Sequence, residues 1–136
     1  MSRRIEDLEP ETRDRCEKFL AECQLQSCPV LVVHTLRTFE EQALIYAQGR
    51  NRPGPIVTNA KPGFSWHNFG RAFDVAFIVP GSQQVSWQGP WQKIGLIGEA
   101  FGLEWGGRWK KLADRPHFEF KGGKTLKELR TSVQSP

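Results

Sequence analysis

Two histidines and two aspartates have the residue types and spacing of a catalytic zinc site. His67 and Asp74 belong to the segment Ser65–Asp74, and Asp114 precedes His117 by three residues. His67, Asp74 and His117 would supply three ligands and leave a fourth position for water, which is typical of catalytic rather than structural zinc sites. Zinc lowers the pKa of a water to near neutrality, so this composition indicates a hydrolase. Asp114 is then a candidate for proton transfer.

The local sequence leaves the role of Asp114 open. Arg115 precedes Pro116, which disfavours helical backbone, so the segment is predicted to be extended. In an extended segment Asp114 and His117 point to opposite sides, and a bend at Pro116 would be needed to bring both to one metal ion. A turn cap, or a hydrogen bond that orients His117, is the alternative role.

Arg37 lies between a predicted strand and a predicted helix, a junction where functional side chains often occur. Its guanidinium is a candidate for binding a substrate carboxylate or a developing oxyanion, and an ion pair with Glu40 or Glu41 is the structural alternative. His34 ends an apolar strand with no acidic residue nearby in sequence, so we exclude it from the site. Most of the five tryptophans are expected in packing, and Trp109 is our candidate for lining a substrate groove.

Length and composition fit one compact enzyme domain covering residues 1–136. The chain has 38% hydrophobic and 25% charged residues, which is ordinary for a globular protein with a buried core. No apolar run approaches the roughly 20 residues that span a bilayer, and the N-terminus turns acidic where an export signal would be apolar. Cys16, Cys23 and Cys28 fit no zinc-finger spacing, so we expect reduced packing thiols in a protein made in the cytoplasm.

The net charge of +4 is spread along the chain rather than concentrated in one run. Basic residues do not alternate with aromatic ones as in a nucleic-acid groove, so no nucleic-acid partner is predicted. An anionic polymer such as a bacterial cell wall suits this charge through non-specific attraction.

The elements that position these residues are predicted from periodicity, caps and turn residues. Helices are predicted at 10–26, 39–48 and 90–102, with a short closing helix from 125 that ends in frayed residues. Strands are predicted at 29–34, 73–79, 105–109 and 117–120. The stretches 51–63 and 80–89 are rich in turn residues and are predicted to be loops. The fold class is therefore α+β, a short antiparallel sheet flanked by helices with the zinc site at the sheet.

Several segments resemble the zinc D-Ala-D-Ala carboxypeptidase-like peptidases, whose fold is shared by hedgehog-type signalling domains. The similarity runs from about residue 30 to 120 and is carried by Leu36–Gln42, Leu44–Arg50, Ser65–Asp74, Trp105–Gly107 and Asp114–Glu119. The most similar branch is the L-alanyl-D-glutamate endopeptidases found as phage endolysins. The resemblance implies a zinc-dependent peptidase that hydrolyses the L-alanyl-D-glutamate bond of the peptidoglycan stem peptide.

The resemblance also implies roles for individual residues. One zinc ion per chain would be bound by His67, Asp74 and His117. Asp114 would be the catalytic base, and Arg37 would bind substrate or stabilise the transition state. Two further positions match family residues near the substrate, Ser65 and Gln42.

Two departures from the family pattern bear on substrate and host. Arg108 stands where many relatives have an acidic residue after Gly-Gly, which affects the expected substrate preference. Many endolysins also carry a wall-binding domain, and its expected absence here fits a lysin acting on the thin wall of Gram-negative bacteria. Such an enzyme would be a monomer without membrane insertion, made in the host cytoplasm and released to the wall through a holin pore.

Two alternative functions stay open. A D-Ala-D-Ala carboxypeptidase or dipeptidase would share the same zinc site, because the walls of the pocket select the bond that is cut. A non-catalytic zinc-containing module that binds the cell wall is the alternative from another class. The presence of Asp114 and Arg37 argues against that module, because binding requires neither.

Overall fold

The structure, a computed structural model, describes residues 1–134. Its helices are α1 (Pro10–Leu25), α2 (Phe39–Ala47), α3 (Trp91–Ala100) and α4 (Leu126–Gln134). Its strands are β1 (Val30–His34), β2 (Ala72–Ile78), β3 (Val85–Ser86), β4 (Glu104–Trp105) and β5 (His117–Glu119). The α+β class is confirmed, and the frayed end predicted for the chain falls on residues 135–136, outside the described residues.

The strands form one antiparallel sheet in the order β1-β2-β5-β4, and β3 pairs with the last residues of β2. β2 is the central strand and pairs with β1 on one side and with β5 on the other. Asp74 on β2 is opposite His34 on β1 and His117 on β5. The sheet therefore places one carboxylate between two histidines that are 83 positions apart in sequence.

The hydrophobic core lies between one face of the sheet and helices α1 and α3. Side chains alternate between the two faces of a strand, so Phe73, Val75 and Phe77 of β2 all point into this core. Phe19 of α1 packs against Phe73 and against Phe118 of β5, with ring centroids 5.8 and 4.7 Å apart. The core also contains three cysteines, which are free and buried: Cys16, Cys23 and Cys28.

Most predicted elements lie within a few residues of the observed ones, with two exceptions. The strand predicted at 105–109 is wrong, because β4 ends at Trp105 and Gly106–Arg108 forms a 3-10 helix. Gly107 lies against the Trp105 ring, where a Cβ atom would approach to 2.2 Å, so the chain turns closely around this indole. The loop predicted at 80–89 contains the short strand β3, which sequence reasoning missed. No helix within residues 1–134 has the length and apolar character that crossing a lipid bilayer requires.

Candidate active site

The structure brings His67, Asp74 and His117 together at one end of the sheet. Their candidate ligand atoms all lie within 4.8 Å of one another. His67 Nε2 is 3.3 Å from Asp74 Oδ2, and His117 Nδ1 is 3.1 Å from Asp74 Oδ1. Each residue comes from a different element, because His67 lies in the 3-10 helix Trp66–Phe69, Asp74 in β2 and His117 at the start of β5.

The donor set and its spacing fit a zinc ion. Zinc binds imidazole nitrogen and carboxylate oxygen at about 2.0–2.2 Å, so tetrahedral ligands are about 3.4 Å apart. The two separations at Asp74, 3.3 and 3.1 Å, are close to this value. His67 and His117 are buried and Asp74 is half-buried, so few water molecules compete for the donors. The residues therefore form a cluster that can hold a metal ion with three protein ligands.

Hydrogen bonds fix which nitrogen each imidazole ring turns to the centre. His67 Nδ1 is 2.7 Å from the Thr35 carbonyl oxygen, which only accepts, so Nδ1 carries a proton and Nε2 faces Asp74. His117 Nε2 is 2.7 Å from Glu119 Oε1, so its Nδ1 faces Asp74 instead. Outer partners of this kind orient metal-binding histidines in proteins. Sequence reasoning missed Glu119, although its place two residues after His117 on one strand face could have indicated it.

The charges in the cluster favour a cation. Burial raises the pKa of Asp74, but hydrogen bonds from three histidines outweigh it and hold this pKa well below its usual range. Burial lowers the pKa of His117, yet contacts with Asp74 and Glu119 raise it to about 10. Two carboxylates therefore hold a proton on His117, and metal binding at this ring would release that proton.

Asp114 lies beside the cluster because the chain bends between Asp114 and His117. A turn over Arg115 and Pro116 is closed by the His117 N–H, which donates to the Asp114 carbonyl oxygen at 3.2 Å. The extended segment predicted here is therefore wrong, and Asp114 and His117 line the same cleft. The residue as a whole is exposed, but burial of its carboxyl raises the pKa above the usual range, and the charge of Asp74 adds to this rise.

Arg37 lies on another wall of the cleft and is held by its neighbours. Its Nη1 donates to Gln42 Oε1 at 3.0 Å, and its backbone carbonyl accepts from the Asn68 amide at 3.0 Å. Its Nε is buried without a hydrogen-bond partner among the described residues. Burial lowers the pKa of the guanidinium, and the charges of Asp74, Glu41 and Asp114 oppose that effect.

Gln42 was predicted to lie near the substrate, and the structure places its side chain behind Arg37, which lines the cleft. Its side chain is fully buried on α2, where its amide donates to the Ala60 carbonyl oxygen at 2.8 Å and its carbonyl accepts from Arg37. It also lies 3.3 Å from the Asn68 amide nitrogen. Gln42 is therefore placed to hold Arg37 in position, and its nearness to a substrate stays a prediction.

The cleft has a volume of about 720 Å³ and is lined by both polar and apolar side chains. Ser65 lies on its wall and caps the 3-10 helix of His67 by accepting from the His67 N–H at 3.3 Å. Trp109 lies next to the metal cluster, with its ring centroid 5.2 Å from that of His117. Exposed apolar side chains extend the walls away from the cluster: Ile56, Val57, Phe64 and Leu112.

Arg108 does not line this cleft. Its guanidinium forms a two-pronged ion pair with Glu99 on α3, with Nη2 2.8 Å from Glu99 Oε1. The guanidinium also lies 5.9 Å from the centre of the Trp105 ring. Arg108 is thus accommodated by an ion pair on the outer surface of α3.

His34 was excluded from the site on sequence grounds, and the structure leaves it outside the three-residue metal cluster but in contact with Asp74. Its Nδ1 lies 3.1 Å from Asp74 Oδ2, and its side chain is 41% exposed. The acidic partner is 40 residues away in sequence and next to His34 across the sheet. No local signal in the sequence indicates this contact.

Comparisons with known proteins agree with the class of enzyme that this site indicates. The family model described as D-alanyl-D-alanine carboxypeptidase matches residues 58–120. The chain is 32% identical over 123 residues to the peptidoglycan L-alanyl-D-glutamate endopeptidase CwlK of Bacillus subtilis, covering 83% of this chain and 73% of CwlK. It is 27% identical over 120 residues to the L-alanyl-D-glutamate peptidase of Listeria phage A118, covering 85% of this chain and 39% of that protein.

Solved structures share the fold. The L-Ala D-Glu endopeptidase ChiX of Serratia marcescens matches with a TM-score of 0.64 and 23% identity, covering 92% of this chain and 86% of ChiX. The vancomycin-resistance D,D-pentapeptidase VanY, solved with Zn(II), matches with a TM-score of 0.62 and 15% identity, covering 89% of this chain and 82% of VanY. The similarity to CwlK, together with the match to the family model, shows that the chain belongs to the D-alanyl-D-alanine carboxypeptidase-like family of peptidases. The family assignment made from the sequence motifs is therefore confirmed.

Proposed function

We propose that this protein is a zinc-dependent peptidase that hydrolyses the L-alanyl-D-glutamate bond of the peptidoglycan stem peptide. The observation that carries this proposal is the cluster of His67, Asp74 and His117, which shares one cleft with Asp114 and Arg37. Two relatives support this choice of bond, because CwlK and the phage A118 protein are both named as L-alanyl-D-glutamate peptidases. All these groups come from one chain, so we further propose a monomeric catalytic domain with one zinc ion that acts at the bacterial cell wall.

The metal would be held by His67 Nε2, a carboxylate oxygen of Asp74 and His117 Nδ1. When bound, zinc would polarise the scissile carbonyl and lower the pKa of the attacking water. The protein contributes the orientation of the donors, because Thr35 and Glu119 fix the two imidazole rings from outside.

Asp114 is the general base in this proposal. Its carboxylate takes the proton of the attacking water and then gives a proton to the D-glutamate nitrogen as the peptide bond breaks. Burial raises the pKa of this carboxyl, and a carboxylate with a higher pKa is a stronger base. The turn over residues 115–116 keeps Asp114 on the same side of the chain as His117.

Arg37 supplies fixed positive charge in the same cleft. Its contact with Gln42 holds the guanidinium in place, and its buried Nε has no hydrogen-bond partner within residues 1–134. Such a group stabilises a developing oxyanion or a substrate carboxylate because it needs no reorganisation during the reaction. Ser65, Trp109 and the apolar walls would hold the extended stem peptide along the cleft.

Mass spectrometry of digested peptidoglycan tests which bond is cut. The proposal predicts peptides with a new N-terminal D-glutamate, and L-alanine retained on the muramyl side. Recovery of free D-alanine with intact L-alanyl-D-glutamate bonds would establish a carboxypeptidase instead. Binding to wall fragments without any turnover would establish a binding module.

Metal analysis of the purified protein tests the cofactor separately. The proposal predicts about one zinc ion per chain, with activity that is lost on exhaustive chelation and regained when zinc is added. Full activity in a metal-free sample would contradict the proposal.

A further inference from the structure

The pairing of β1 with β2 is irregular at the point where β1 reaches the candidate metal cluster. Val30, Leu31 and Val32 pair in register with Phe77, Ala76 and Val75. A regular ladder would next place Val33 opposite Asp74, but the register shifts and His34 takes that position. Irregularities of this kind re-aim a side chain and occur often beside active sites. The shift therefore turns His34 towards Asp74 and away from the face that strand alternation would give it.

Asp74 contacts three imidazoles, and only one of them lies outside the metal cluster. Its Oδ1 lies 3.1 Å from His117 Nδ1, and its Oδ2 lies 3.3 Å from His67 Nε2. Both of these nitrogens are candidate metal donors. The remaining contact joins Oδ2 to His34 Nδ1 at 3.1 Å. A carboxylate oxygen accepts, so His34 Nδ1 donates the proton in this hydrogen bond.

We propose that His34 is a positioning residue that holds the Asp74 carboxylate in the orientation needed to bind the metal. It would do for Asp74 what the Thr35 carbonyl and Glu119 do for the two histidine ligands. Every predicted ligand then has one hydrogen-bond partner outside the cluster. This inference rests on the metal site of the proposed function, and it adds a residue that the sequence motifs did not include.

The geometry separates this role from that of a fourth ligand. The atoms that lie within 4.8 Å of one another come from His67, Asp74 and His117, and His34 is not part of that set. Its Nδ1 already donates a hydrogen bond to Asp74, and 41% of its side chain is exposed. A substitution at this exposed position leaves the core intact, so its effect on metal binding can be measured in folded protein.

The test compares three variants of the full chain for zinc affinity, measured by competition with a chromophoric chelator, and for kcat and KM. His34→Ala removes the donor, whereas His34→Asn places an amide N–H close to the position of Nδ1. Leu31→Asn, at an exposed site on the same strand, is the matched control. We expect His34→Ala to weaken zinc binding about 10- to 100-fold, the usual effect of losing a residue that hydrogen-bonds a metal ligand. We expect His34→Asn to restore most of that affinity and Leu31→Asn to match the parent.

The outcomes separate this inference from the proposed function. Parent-like zinc affinity in His34→Ala would overturn the positioning role and leave the zinc site intact. An Asn variant as weak as the Ala variant would also overturn it, because the donated hydrogen bond would then not be the cause. A parent protein that binds no zinc would overturn the proposed function together with this inference. The thermal unfolding temperature of each metal-free variant must match that of the parent. A folding defect in His34→Ala alone would show that His34 contributes to stability rather than to metal binding.

Discussion

Neighbouring residues on β2 and β5 point to opposite faces of the sheet and meet different surroundings. Phe73 and Phe118 are fully buried in the core and stack with their ring centroids 5.7 Å apart. At the adjacent position of each strand, Asp74 and His117 face each other in the metal cluster at 3.1 Å. The same two strands thus provide stability on one face and chemistry on the other. Substitutions one residue apart should separate these two properties.

The largest expected effect comes from the adjacent pair His117 and Phe118. His117→Ala removes a ligand, so we expect loss of bound zinc and of all measurable hydrolysis in a protein that still folds. Phe118→Ala removes a buried ring, so we expect a loss of about 3–5 kcal/mol in the free energy of unfolding, with zinc retained by the molecules that fold. Zinc analysis and denaturant unfolding check both variants. Equal loss of zinc in both would show that the two faces are not independent.

Arg37 should affect turnover without affecting the metal. Arg37→Ala removes the fixed charge from the cleft, so we expect kcat/KM to fall roughly 100-fold or more, with one zinc ion retained. Arg37→Lys keeps the charge but loses the planar fork and should recover only part of the activity. Arg13→Ala, at a partly exposed position of α1 where Arg13 pairs with Glu17, is the control and should behave as the parent. Parent-like kinetics for Arg37→Ala would remove this residue from the mechanism.

Two glycines allow the same comparison of the two faces, because one packs closely against Asp114 and the other against Phe118. A Cβ at Gly106 would meet the Asp114 carbonyl oxygen at 2.4 Å, so Gly106→Ala should displace Asp114 and lower kcat about 10- to 100-fold. A Cβ at Gly98 would meet the Phe118 ring at 2.5 Å, so Gly98→Ala should lower the free energy of unfolding by about 1–3 kcal/mol instead. Steady-state kinetics and thermal unfolding of both variants check this contrast. A kcat loss in Gly98→Ala that matches Gly106→Ala would contradict it.

The cysteines should give the smallest effect. Burial raises the pKa of the Cys16 and Cys23 thiols to about 12, so both are expected to stay protonated and unreactive towards thiol reagents until the protein unfolds. Replacing either by Ala should lower the free energy of unfolding by about 1 kcal/mol and leave zinc content and turnover per folded molecule unchanged. Loss of zinc in either variant would show that a ligand has been misassigned.

The sequence alone was enough to predict the helices, the central strand and the three candidate ligands, because each of these features has a local signal. The capping box of Thr38 and Glu41 marks the start of α2, and the structure contains both of its hydrogen bonds. Contacts made across the sheet have no such signal. The shift in pairing after Val32 brings His34 to Asp74, and alternation along β1 alone would have placed it elsewhere. Likewise, the turn between Asp114 and His117 depends on tertiary packing against Gly106.

The central claim is that Asp114 acts as a base beside a metal that it does not bind. Asp114→Asn keeps the size of the side chain but removes its charge and its ability to accept a proton. Zinc content and peptidoglycan hydrolysis should be measured side by side for the parent and this variant. We predict one zinc ion per chain in both, and a rate in the variant that is lower by about 100-fold or more. Unchanged hydrolysis with zinc retained would contradict the claim.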